Sequence, residues 1–174
     1  MDEVFIMNVK RSLGSLLLGA AILPSLTVAA SLDSDAAPQV TAEQARSIAN
    51  AAERAARAQD FAIVISIVDN HGNLKHFHRM DGSSSGSVQV AQLKAATSAR
   101  FPLSSRSLGE RSAALPANPY ASLPGFTLLE GGLPIMDVNG RHVGGIGISG
   151  ATPELDAQFA RIALEALGSR ATGR

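Results

Sequence analysis

The residues with the clearest chemical potential lie on one predicted helix, which begins near Ser85. Residues three, four and seven positions apart share one face of a helix. This spacing places one cation among hydroxyl groups, in a stripe made of Ser87, Lys94, Thr97 and Ser98. An ammonium group beside hydroxyls can hold an anionic ligand in a groove. The alternative is a solvated lysine on an amphipathic helix, because lysine is seldom buried.

Two histidines form a second candidate site. His76 and His78 are two positions apart on a predicted strand, so both side chains point to one face, and His71 lies in the preceding turn. An imidazole pair can bind haem iron, and the thioether of Met80 at the end of the same strand is another haem ligand. Histidines on a surface hairpin, however, need no ligand. No helical histidine or acidic pair is placed by the sequence to complete another kind of metal site, and we expect none.

A glycine motif near the C-terminus resembles a dinucleotide-binding turn. Gly145, Gly147 and Gly150 have the GxGxxG spacing at a predicted junction between a strand and a helix. The strand follows an Asn139-Gly140 hairpin signal, so it should be antiparallel to its neighbour, whereas a dinucleotide fold needs parallel strands. We therefore expect these glycines to permit close backbone approach, between strand and helix or between subunits.

The elements that position these residues follow from local patterns. The apolar run at 61–68 predicts a strand covered on both faces, and turn residues at 69–72 join it to a second strand at 74–80. Thr41 and Gln44 form a capping box that begins a helix over 42–58. Further strands are predicted at 126–130, 133–138 and 141–149, and a last helix begins with Thr152 and Pro153. The pattern indicates a single α/β domain with an antiparallel sheet of about five strands flanked by helices.

Composition narrows the class of partner. Lysine and arginine number 15, as do aspartate and glutamate, and no basic run occurs, so we expect no nucleic-acid partner. The chain has no cysteine, which excludes thiolate metal sites and disulfides and suits an oxidising compartment.

The N-terminal residues have the features of an export signal. Lys10 and Arg11 precede an apolar run at 13–28, and small residues follow at 28–30. The run is shorter than the roughly 20 residues that a membrane-spanning helix needs. We expect a signal peptide at 1–30 and therefore a periplasmic or secreted protein. Met7, which is followed by a more typical signal start than the acidic residues after Met1, is an alternative initiator.

The remainder divides into a short polar linker at 31–40 and one domain at 41–174. Without the leader about 144 residues remain, which are enough for one hydrophobic core and too few for two.

Several motifs of the domain, in order, closely resemble the GlcG/HbpS family, also called the haem-degrading domain family. The same domain forms the C-terminal part of PduO-type proteins. The likeness covers about 41–168, and the motifs that carry it are VDNHGNL at 68–74, RMDG at 79–82, GGLPI at 131–135, VGGIGISG at 143–150, and the helix series Gly86, Ser87, Val90, Ala91, Lys94, Ala95 and Thr97.

The resemblance implies a profilin-like fold, assembly into dimers and up to octamers, and haem as the cofactor. Some members degrade haem, and exported ones act beside a membrane sensor of redox stress. A threonine of the central helix has been linked with haem in that branch, and Thr97 is the matching candidate. The acidic iron-binding motifs of some members have no clear counterpart here.

Three functions remain open. The first is an exported haem-binding protein, in which His76, His78 or Met80 supplements the weak iron ligand Thr97. The second is an enzyme acting on a small carboxylate or aromatic metabolite, with Lys94 and Asp81 as an acid/base pair. The third is a partner of a membrane sensor, which needs only its surface.

Overall fold

The computed structural model describes residues 38–172, so the expected leader at 1–30 and most of the linker at 31–40 lie outside the described residues. The domain begins with a capped helix, as expected: Gln44 N–H donates to Thr41 Oγ1 and Thr41 N–H donates to Gln44 Oε1. The elements in chain order are α1 (Ala42–Arg57), β1 (Val64–Asp69), β2 (Leu74–Arg79), α2 (Ser85–Arg100), α3 (Ser105–Ala113), a 3₁₀ turn (Pro119–Ser122), β3 (Gly132–Met136), β4 (His142–Ser149) and α4 (Pro153–Thr172).

The four strands form one antiparallel sheet in the order β2-β1-β4-β3. The sheet expected from the sequence had about five strands, and the missing one is the segment at 126–130. Side chains satisfy its backbone instead of a neighbouring strand: Thr127 N–H donates to Thr97 Oγ1, and Leu129 C=O accepts from Ser105 Oγ. The segment therefore has no strand ladder, and β3 is an edge of the sheet.

Helices cover both faces of the sheet. Helix α2 packs on one face, chiefly against β4, β1 and β3, while α1 and α4 pack together on the other. Side chains of β1 alternate accordingly: Ile65 and Ile67 join the core beneath α1 and α4, and Ser66 and Val68 face the side of α2. The main core lies on the side of the helix pair, and its largest fully buried apolar members are Ile48, Ile63, Ile65, Ile67, Ile135, Ile146, Ile148 and Phe159.

The glycines of β4 let α2 lie directly on the sheet. A Cβ added to Gly145 would lie 2.5 Å from the carbonyl oxygen of Ala95, and one added to Gly147 would be closer still to that of Ala91. Strand β4 is antiparallel to both of its neighbours. The expectation of close backbone approach is confirmed, between strand and helix, and the glycine spacing does not mark a dinucleotide-binding turn.

Within residues 38–172, no helix combines the length and the hydropathy that crossing a membrane requires.

Candidate functional site

Lys94 is buried in an ion pair. Its side chain is 2% exposed, and Nζ donates to Asp156 Oδ2 and to the carbonyl oxygen of Ile148, each at 2.8 Å. The alternative of a solvated lysine is therefore wrong. So is the proposed pairing with Asp81, which is exposed in the turn after β2. Lys94 connects α2 to β4 and to the first turn of α4.

The partner carboxylate is held just as closely. Asp156 is 1% exposed, and its second oxygen accepts the Ala151 N–H at 3.0 Å. Burial raises the pKa of Asp156, and the hydrogen bond and charge of Lys94 oppose that rise. Gly131, with a φ of +118°, closes over the pair, because a Cβ there would lie 2.7 Å from Lys94 Nζ. The Gly-Gly motif before β3 thus covers an internal ion pair.

The hydroxyl groups near Lys94 are also buried. Thr97 is fully buried, and its Oγ1 donates to the carbonyl oxygen of Leu93 at 2.8 Å and accepts the Thr127 N–H at 2.9 Å. Ser87 is 8% exposed, and Ser98 is fully buried. Haem contact by Ser87, Lys94 or Thr97 stays a prediction, and for Lys94 and Thr97 it would require these internal bonds to open.

The imidazole pair lies on the opposite face of the sheet. His76 pairs with Ile67 and His78 with Ile65, so both histidines share the face that carries α1. Strand β2 is the outer strand of the sheet, and both side chains remain partly exposed. The sequence placed the histidines together correctly, but the structure separates them from Lys94 and Thr97.

Helix α1 supplies the charges around the two histidines. His78 Nε2 lies 3.2 Å from Glu53 Oε2, an ion-pair distance without the alignment of a hydrogen bond. Burial lowers the pKa of His76, and the charges of His78 and Arg46 lower it further. His76 is therefore a neutral imidazole at neutral pH, which is the form that ligates a metal.

Met80 and His71 occupy different surroundings from the imidazole pair. Met80 is 4% exposed in the main core, where its Sδ accepts the Ile63 N–H at 3.4 Å. His71 is exposed in the β1–β2 turn, and its backbone N–H donates to Asp69 Oδ1. Met80 would reach a surface ligand only if the core opened. Within the described part of the chain, no cluster of three or more histidine and carboxylate side chains is arranged to hold a metal ion.

Two concavities were not predicted from the sequence. One is a cleft of about 930 Å³ between the start of α1, the β3–β4 hairpin and the later turns of α4. The other is a groove of about 340 Å³ beside α2 on the β1–β2 hairpin. The signal that could have indicated them is the exposed apolar side chains at their edges, Val138 for the cleft and Leu74 for the groove.

An antiparallel sheet with one helix on one face and a helix pair on the other defines this chain as a small α/β domain of the kind expected. The chain belongs to the family described as haem degrading protein HbpS-like, whose model matches residues 40–165. It is 31% identical over 134 residues to the 15.0 kDa protein of the dhaT-dhaS intergenic region of Citrobacter freundii, which covers 72% of this chain and 90% of that protein.

Solved structures share the fold. A double mutant of HbpS from Streptomyces reticuli superposes with a TM-score of 0.72 at 28% identity, covering 91% of this chain and 99% of that one. A complex of PduOC with haem superposes with a TM-score of 0.66 at 27% identity, covering 74% of this chain and 94% of that one. The expected resemblance and the expected fold class are both confirmed.

Proposed function

We propose that this protein binds haem and that His76 is the iron ligand. The observation that carries the proposal is a partly exposed imidazole on an outer strand, in a chain of the HbpS-like family. The likeness to PduOC, whose structure contains haem, supports haem as the ligand. Imidazole is a common axial ligand of haem iron, whereas a hydroxyl is a weak one.

The neighbours of His76 suit the rest of a haem molecule. His78 provides a second imidazole on the same face, 3.2 Å from the Glu53 carboxylate. Arg46 is exposed on α1 and close enough to act on the pKa of His76, so its guanidinium can meet a haem propionate. The proposed iron ligand, a second imidazole held beside the Glu53 carboxylate and an anion-binding group thus lie on one surface.

Titration with haemin tests this assignment. We expect a Soret shift that saturates at one haemin per chain, and binding about tenfold weaker or worse in His76→Ala, a loss of ~1.4 kcal/mol or more. His71→Ala is the matched control, because it removes an exposed imidazole from the adjacent turn and should leave binding unchanged. A Thr97→Ala or Lys94→Ala variant that folds normally yet loses the shift, while His76→Ala keeps it, would move the site to α2.

We further propose that the protein is exported, periplasmic or secreted, and acts as an accessory to a membrane redox sensor. The basic and apolar pattern of residues 1–30 supports export. N-terminal sequencing of protein recovered outside the cytoplasm should begin near residue 31. Recovery of the uncleaved chain from the cytoplasm alone would contradict export. If the immobilised protein fails to capture the ectodomain of a membrane redox sensor, the accessory role is contradicted.

We also propose that the protein forms homo-oligomers, dimers or octamers. Both outer strands of the sheet, β2 and β3, have one edge with no neighbouring strand among the described residues. Exposed apolar side chains, Leu74 at 57% and Val138 at 76%, are available to pack against a second copy. Mass photometry should show a dimer or larger species, and a monomer at micromolar concentration would contradict the proposal.

A further inference from the structure

The groove on the β1–β2 hairpin is open because α2 does not cover the whole face of the sheet. Helix α2 lies over β4, β3 and β1 and makes little contact with β2. The uncovered part is a concavity of about 340 Å³ on the face opposite His76 and His78. Its lining consists of Ser66, Val68, Gly72, Leu74, Gln89, Gln92, Leu93 and Ala96.

A buried hydroxyl without a partner lies in the groove lining. Ser66 is fully buried, and its Oγ has no hydrogen-bond partner among residues 38–172. Its neighbours across the sheet are Gly147 on β4 and Phe77 on β2, and neither side chain can accept or donate a hydrogen bond. An unpaired buried hydroxyl destabilises the protein, so a ligand group that forms a hydrogen bond with Ser66 Oγ would remove that cost.

The walls of the groove combine apolar surface with free amides. Leu74 is 57% exposed, and Leu93 and Ala96 are partly exposed on the facing side of α2. Gln89 and Gln92 are exposed at the rim and form no side-chain hydrogen bond within residues 38–168. These two amides are therefore available to form hydrogen bonds with a ligand in the groove.

A cation lies beside Gly72, one of the residues that line the groove. The guanidinium of Arg100 lies against Gly72, where an added Cβ would be 3.1 Å from Nε. Arg100 also lies over the Phe126 ring, 5.6 Å from its centroid, and in the part of the chain that the structure describes it forms no salt bridge with a carboxylate. An anionic group on a ligand in the groove would therefore find an unneutralised partner.

We propose that this groove binds a small aromatic carboxylate. The ring packs between Leu74, Leu93 and Ala96, a polar substituent bonds to Ser66, and the carboxylate points toward Arg100. The volume of about 340 Å³ is near the lower limit of ligand sites, roughly 300–1,000 Å³, which suits one substituted ring. The site is separate from the proposed haem surface, because the two lie on opposite faces of the sheet.

Isothermal titration with 4-hydroxybenzoate tests the proposal, with benzamide as the uncharged ring. We expect one binding site per chain, binding about tenfold weaker in Arg100→Gln, and no measurable binding of benzamide. Arg111→Gln is the matched control, because Arg111 is an exposed arginine on α3 away from the groove. No binding to the wild-type protein, or an equal loss in Arg111→Gln, would overturn the proposal.

Two further variants test the roles of Ser66 and Ala96 in the lining of the groove. Ser66→Ala should weaken 4-hydroxybenzoate more than benzoate and should raise the stability of the free protein, since an unpaired hydroxyl is removed. Ala96→Leu should block the groove, with its fold checked by circular dichroism. If Ser66→Ala binds both ligands as the wild type does, the assignment of Ser66 is wrong.

Cross-titration tests whether the groove and the haem surface are separate sites. Arg100→Gln should bind haemin as the wild type does, and His76→Ala should still bind 4-hydroxybenzoate.

Discussion

At the scale of single residues, the availability of a side chain is decided by the bonds it already makes. Lys94 and Thr97 have the residue types of a ligand site, but both are used inside the protein, by Asp156 and by Leu93 and Thr127. The sequence around His76 contains no recognisable ligand motif, yet the side chain is partly exposed and its pKa is lowered. Residue type and spacing predicted which side chains could bind a ligand. Only the fold shows which of them are not already bonded inside the protein.

Removal of one partner of the Lys94–Asp156 pair should destabilise the protein more than replacement of both partners by apolar residues. Lys94→Met leaves Asp156 buried without its partner and should lower the free energy of unfolding by about 3–5 kcal/mol. Lys94→Met combined with Asp156→Leu should recover much of that loss, because no charge then remains buried. Urea denaturation measures both.

The control for this comparison is an exposed pair. Arg106 on α3 contacts Glu110 and Glu130 with 58% of its side chain exposed, and Arg106→Gln should change the urea midpoint little. A double variant as unstable as Lys94→Met alone would contradict the view that the buried charge is the source of the loss.

His76 should make the protein less stable in mild acid. Its pKa in the folded state lies below the usual histidine value of about 6.5, so between the two values the unfolded chain binds more protons. The free energy of unfolding therefore falls as the pH falls through this range. Urea midpoints at pH 7.5 and 5.5 should differ less in His76→Ala than in the wild type or in His71→Ala. An equal difference in all three would assign the effect to another group.

At the scale of elements, local patterns predicted α1, α2, α4 and all four strands, and long-range bonds account for the one predicted strand that is absent. The capping box of α1, the β1–β2 hairpin and the antiparallel β4 follow from residues close in sequence. The strand expected at 126–130 was wrong, because Thr97 and Ser105, both more than 20 residues away, bond to its backbone. Such bonds leave no periodic pattern in the segment itself.

The packing of α2 on β4 should depend on glycine. Gly147→Ala places a methyl group into the backbone of α2 at Ala91 and should lower the free energy of unfolding by about 3 kcal/mol or more. Gly168→Ala is the matched control, because Gly168 lies within α4 and, apart from its own stretch of helix, nothing in the described part of the chain lies within 4 Å of an added Cβ. That change should stabilise the protein by about 0.5–1 kcal/mol. A Gly147→Ala variant of wild-type stability would contradict the close approach of helix and strand.

At the scale of the whole molecule, the sheet separates the candidate sites. The sequence predicted the α/β class and grouped Lys94, Thr97, His76 and His78 into one site. The strand register places the imidazoles on the face of the sheet that carries α1, whereas Lys94 and Thr97 belong to α2, which packs on the other face. Only the assembled sheet shows which face a strand residue occupies. The two concavities escaped prediction for the same reason, since each is formed by elements distant in sequence.

The central claim is that haem iron is bound by His76, and the electron paramagnetic resonance spectrum of the ferric haemin complex tests it most directly. We predict the signature of an imidazole ligand in the wild-type protein and in His71→Ala, and its loss in His76→Ala. An unchanged spectrum in His76→Ala would contradict the account.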